Sequence, residues 1–173
     1  MGLTTTRGFA AFVLIASIAV LGTALLSQYL GGLAPCELCL LQRWPWRIAI
    51  GLGLVCLILG PRLRLSWTTL ATAAVFACGV VFAFYHVGVE QHWFTGPTAC
   101  TAQTGGVMTL EDMKRQIMGT QPVLCDQVQW SLFGISMAGF NLLASVLMTG
   151  VSLVAFRRAR AMPPALAKTQ AAQ

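Results

Sequence analysis

APCELCLLQRWPWRIAIGLGLVCLILGP, residues 34–61, decides how this chain folds, because it either completes a membrane crossing or leaves the apolar runs around it unpaired. Between Arg47 and Pro61 lie only 13 residues, which as a helix reach about 20 Å. A start at Trp44 gives 17 residues and about 25 Å, close to the lower limit for a bilayer core. Pro45 then falls in the first turn, where its missing N–H does little harm. Trp44 and Trp46 suit an interfacial belt, Arg47 snorkels outward, and Pro61 closes the segment. This reading predicts a helix over 44–60.

The flanking sequence supplies the companions. Residues 8–36 carry no charge and include FAAFVLIASIAVLGTALL, which predicts a first helix over about 9–28. A signal peptide is the rival for that run. Its length and the spans that follow favour retention. Beyond the PRLRLS turn, an apolar run predicts a third helix over 65–87, and a fourth is expected over 131–156, stopping at RRAR. The expected fold is all-α: a polytopic membrane protein, a four-transmembrane-helix bundle in one domain over 1–156. Loops are placed at 29–43 and 88–130, and a tail at 157–173.

Composition agrees. The chain is 57% hydrophobic and 9% charged, whereas a soluble domain carries about a quarter charged residues. A net charge of +6 elsewhere suggests nucleic acid. Here the basic residues flank the spans, so topology accounts for them and no nucleic-acid partner is expected. Arg7, Arg62, Arg64, Arg157, Arg158, Arg160 and Lys168 share one side, against Arg43, Arg47, Lys114 and Arg115 on the other. The positive-inside rule puts both termini in the cytoplasm, and the short loop at 29–40 and the long loop at 88–130 outside. Within the longer one, Leu110, Met113 and Ile117 repeat at helical spacing, as in a segment lying on the membrane surface.

Four of the six cysteines, Cys36, Cys39, Cys100 and Cys125, then face the outer compartment. Cys56 and Cys78 sit mid-span, where a thiol behaves as a small hydrophobe. Cys36-Glu-Leu-Cys39 can close a redox-active disulfide, and it can also form half of a zinc or iron–sulfur site that Cys100 and Cys125 would complete. An oxidising compartment favours disulfides, so no metal is expected. Cys39 lies just before the expected start of the second helix, and Arg43 follows four residues on. Unpaired N–H groups and the guanidinium are both expected to lower its thiol pKa. His86 and Glu90, at i,i+4, are candidates for holding a polar head group or relaying a proton; plain interfacial hydrogen bonding is the alternative. Asn141 is expected to bond to another helix.

PCELCLLQRWPW, YHVGVEQHW, the pair Cys100 and Cys125, and WSLFGISMAGFN together resemble the bacterial disulfide bond formation protein B (DsbB) family, over roughly residues 8–156. The resemblance implies an inner-membrane thiol:quinone oxidoreductase with redox loops in the periplasm. Such a protein reoxidises a periplasmic DsbA-like thiol oxidase and passes the electrons to membrane ubiquinone or menaquinone. It further implies redox-active disulfides Cys36–Cys39 and Cys100–Cys125. Cys100 would be attacked by the partner, Cys125 would exchange with Cys36, and Cys39 would meet the quinone with Arg43 beside it. The competing class is a membrane adaptor whose disulfides only staple its loops.

Overall fold

The computed structural model describes residues 5–97, 110, 114 and 123–163. Cys100 and Lys168 lie outside the described residues, as does most of the expected surface helix; Leu110 and Lys114 are helical and exposed. Four long helices form the molecule: α1 (Thr6–Tyr29), α2 (Glu37–Leu59), α3 (Leu65–Glu90) and α4 (Met137–Ala161). A 3-10 turn at Gly60–Arg62 joins α2 to α3, and a small hairpin precedes α4, with β1 (Ser131–Leu132) paired antiparallel to β2 (Ile135–Ser136).

Each helix runs back along the one before it. Near the N-terminus, the Thr6 hydroxyl donates to the Leu63 carbonyl at 3.3 Å, so Arg7 shares an end with Arg62 and Arg64. Leu65 and Ala155 pack against one core, which carries RRAR toward that same end. The core threads all four helices through Phe9 and Val13, Trp46 and Ala49, Phe76, and Met148. Ile15, Ile58, Val81 and Leu147, one from each helix, point outward at 64–73% exposure. Water would not tolerate such a belt, and lipid requires it.

Among the described residues, α1, α3 and α4 are long and apolar enough to cross a membrane. Helix α2 is 23 residues long but opens with Glu37, Arg43 and Arg47 and does not reach the same apolarity. The molecule is an all-helical bundle of polytopic membrane character.

Several elements differ from the sequence expectation. Helix α2 begins at Glu37 rather than Trp44, because Cys36 caps it: the Cys36 sulfur accepts from the Cys39 N–H at 3.3 Å. Pro45 therefore lies inside the helix, not in its first turn. There it faces Gly79, where an added Cβ would sit 3.3 Å from the Pro45 ring and 3.2 Å from the Ser145 hydroxyl. Gly79 thus lets α2, α3 and α4 approach closely. Trp46 is not interfacial. It is 2% exposed and meets Phe76 edge-on at 4.9 Å, while Trp44 stays at the surface beneath the Arg47 guanidinium. Helix α4 starts at Met137, since residues 131–136 turn back as the hairpin. Phe133 and Gly134 both have positive φ, 52° and 78°, the geometry of a tight hairpin turn matched to strand twist.

Candidate functional site

At the end of the bundle away from the basic flanks, the Gly31–Pro35 connection delivers Cys36 to the start of α2. Cys36 caps α2, and Cys39 follows one turn on with its sulfur 3.1 Å from that of Cys36. Cys36 is buried, while Cys39 is partly open. The returning chain brings Cys125 to the same place. It is fully buried, and it packs with Cys36, Leu38 and Val89, alongside Cys39, Tyr85 and Val123. Three of the four sulfurs singled out from sequence therefore meet; Cys100 is beyond what the structure describes. Cys56 and Cys78 lie deeper along α2 and α3, Cys56 buried and Cys78 exposed.

Both thiols of the pair precede Trp44, ahead of the part of α2 read as crossing the bilayer. Their environments split them. Donation of its S–H to Cys39, and then burial, push the Cys36 thiol up to about 12, against a smaller downward pull from His86. Cys39 is held below the ordinary thiol value, first by the hydrogen bond from the Cys36 side chain, with burial opposing and a hydrogen bond from the Cys36 backbone assisting. Arg43 was expected to share in this lowering. The structure instead turns its guanidinium onto the last turns of α1, donating to the Gln28 side-chain oxygen at 2.7 Å and to the Ala24 carbonyl at 3.5 Å. A cation there also complements the carbonyl end of α1.

Helix α3 contributes His86 and Glu90. His86 Nε2 lies 3.6 Å from the Cys36 sulfur and 3.9 Å from the Glu90 carboxylate. Its Nδ1 lies 2.5 Å from the Gln42 side-chain nitrogen. Gln42 continues to Asn141, whose side-chain nitrogen donates to the Gln42 oxygen, and the Trp46 indole N–H donates to the Asn141 oxygen at 2.7 Å. Asn141 thus joins α4 to α2, the interhelical role expected of it. Glu90 accepts from the Ser136 hydroxyl at 2.5 Å, and that same hydroxyl accepts from the Gly139 N–H, capping α4. Gln42 and Ser136 escaped the sequence reading. Gln42 precedes Trp46 by one turn on the same face, a pattern that becomes informative only once Trp46 is known to be buried.

A cleft opens beside Cys39. Leu33, Ala34, Trp130 and Met137 form an apolar wall, and Cys39, Arg43, His86 and Glu90 supply the polar one. Apolar walls with a few converging polar groups suit a flat, mostly apolar ring carrying polar oxygens. Cys36, Cys39 and His86 also offer three ligand atoms within 4.8 Å of one another, a different set from the four-cysteine site weighed from sequence.

The family model described as disulfide bond formation protein DsbB matches residues 6–155. The chain is 30% identical over 172 residues to disulfide bond formation protein B 1 of Pseudomonas aeruginosa, covering 91% of this chain and 99% of that one. It is 29% identical over 161 residues to disulfide bond formation protein B of Stutzerimonas stutzeri, covering 88% and 96%. An uncharacterized protein of Rickettsia prowazekii is 26% identical over 144 residues, covering 81% and 82%. No solved structure matches the chain. Together with the thiol–imidazole cluster, these similarities support a redox role. The matched region takes in α1, α2, α3 and most of α4, and the chain belongs to the disulfide bond formation protein DsbB family.

Proposed function

We propose that this protein is a thiol:quinone oxidoreductase of the bacterial inner membrane that reoxidises a periplasmic DsbA-like dithiol oxidase. The observation that carries this reading is the meeting of Cys36, Cys39 and Cys125 at one end of a membrane-length bundle, with Cys39 opening into a half-apolar cleft. All four helices cross the bilayer in this reading. The charges of α2 are accommodated because Arg43 is buried against α1 and Arg47 covers Trp44. The basic end faces the cytoplasm and the thiol end the periplasm, as the positive-inside rule requires.

The partner's thiolate attacks Cys100 of the Cys100–Cys125 disulfide, releasing Cys125; the partner's second thiol then resolves the mixed disulfide and leaves as a disulfide. Cys125 attacks Cys36, opening Cys36–Cys39 and freeing Cys39 as a thiolate. Cys100 closes back on Cys125, so the dithiol now resides at Cys36 and Cys39. Packing of Cys125 in one buried cluster with Cys36 supports that exchange. A bound ubiquinone or menaquinone supplies the acceptor for two electrons and two protons. The depressed thiol of Cys39 faces that site, and Arg43, His86 and Glu90 line its polar wall.

The test is detergent-purified protein mixed with a soluble ubiquinone analogue and a reduced DsbA-like partner. Quinone absorbance is expected to fall in proportion to partner thiols oxidised, and Cys39→Ala to lower that rate at least about 1,000-fold, as loss of a nucleophile does. Disulfides that merely staple loops would give no quinone consumption, and that result would retire the proposal.

A further inference from the structure

The hydrogen-bond chain that ends on His86 has a direction, and its far end sets it. An indole N–H can only donate. Trp46 is buried and its N–H meets Asn141, so the Asn141 oxygen must face Trp46 and the Asn141 nitrogen must face Gln42. Gln42 then has to present its oxygen to Asn141, which leaves its NH2 group for His86 Nδ1. An amide NH2 has no lone pair to offer, so Nδ1 must be the acceptor. The one proton of the neutral ring is left for Nε2, the atom beside the Cys36 sulfur and the Glu90 carboxylate. Every amide orientation follows from the donor-only indole, and none is free to flip without stranding a buried group.

We infer that Trp46, Asn141 and Gln42 are positioning residues that lock His86 with its proton on Nε2, aimed at Cys36. The inference rests on the proposed thiol relay for its purpose. When Cys36 carries negative charge during exchange, the imidazole meets it as a hydrogen-bond donor. It does not act as a base toward Cys36, because neutral Nε2 has no lone pair. The same polarity argues against a metal at the Cys36–Cys39–His86 cluster. A ligating Nε2 would need its proton moved to Nδ1, yet a metal-binding imidazole gives its other N–H to an acceptor, and Nδ1 faces a donor here.

Ring-nitrogen NMR of the full-length, dithiol-reduced protein in detergent micelles, labelled with 15N-histidine, reads this directly. The chain has two histidines, and His92→Asn assigns the spectrum, since His92 is exposed and at positive φ, which asparagine adopts readily. The neutral His86 ring is expected as the Nε2–H form only. Gln42→Glu keeps the shape but replaces the NH2 donor with an acceptor, so at pH 8 Nδ1 is expected to become protonated. Wild-type protein in the Nδ1–H form would overturn the inference whether or not any variant folds, and so would a Gln42→Glu spectrum unchanged from wild type. The measurement uses neither quinone nor partner. Failure of quinone to accept electrons would sink the functional proposal without altering this spectrum.

Discussion

Helices α1 and α2 lie side by side and are almost equal in length, 24 and 23 residues, yet they solve the membrane problem in opposite ways. From Gly8 onward α1 has no charged residue, and it turns Ile15, Ile18 and Leu26 outward. Helix α2 carries Glu37, Gln42, Arg43 and Arg47 in its first half and buries two of them, Gln42 and Arg43, inside the bundle. Every polar group of that pair has a destination: Gln42 between His86 and Asn141, Arg43 on the end of α1. The apolar helix is held mostly by shape, with hydrogen bonds to other elements near its two ends. A polar one is held by partners, and its partners are where the chemistry is built.

That contrast breaks first under substitution inside α2. Gln42→Leu removes the bridge and strands both the Asn141 NH2 and His86 Nδ1. Such a loss costs about 2 kcal/mol in a membrane bundle, where the unfolded reference finds substitute partners. Ile18→Ala on α1 exchanges side chain for lipid and is expected to change stability by under about 0.5 kcal/mol. Reversible unfolding in mixed micelles checks the pair; equal effects would mean that the polar chain contributes no more than a lipid contact.

Reactivity divides the two thiols of α2 next. Cys39 is alkylated as its thiolate, and its low thiol pKa depends first on the hydrogen bond from Cys36. In the wild type, alkylation of Cys39 should set in below the pH of an ordinary thiol, while Cys36 resists until about pH 12. Cys36→Ala removes the donor, so the Cys39 profile should move to higher pH. Peptide mass spectrometry after brief labelling across pH reads both, and an unmoved profile would assign the lowering to some other group.

A gain in stability, about half the loss expected at Gln42, belongs to the hairpin. Phe133 is 92% exposed with φ 52°, a backbone position that suits asparagine far better. Phe133→Asn should stabilise by about 1 kcal/mol, seen in the same unfolding assay. A loss of stability would show that the ring has a partner in the bilayer interface.

What sequence could and could not convey follows from the range of each signal. The apolar runs, the basic flanks and the cysteine spacing are local, and they located the bundle and the thiol pair. The start of α2 was hidden because cysteine is an unusual cap, and Pro45 and Trp44 offered a more familiar beginning. Trp46 read as interfacial because tryptophan at a span edge usually is; its burial depends on Phe76 and Asn141, which approach only through tertiary packing. Gln42 looked like a neighbour of Arg43 for the same reason. The hairpin at 131–136 continued smoothly into the apolar run of α4, and only its two positive-φ residues separate it.

Full burial of Cys125 beside a nearly buried Cys36 has a consequence for fidelity. Under the proposed function, a small soluble thiol would find Cys125 covered and would meet Cys36 only at the cleft. In the proposed relay, such cover would make exchange at Cys125 depend on its neighbours in the fold rather than on the concentration of free thiols.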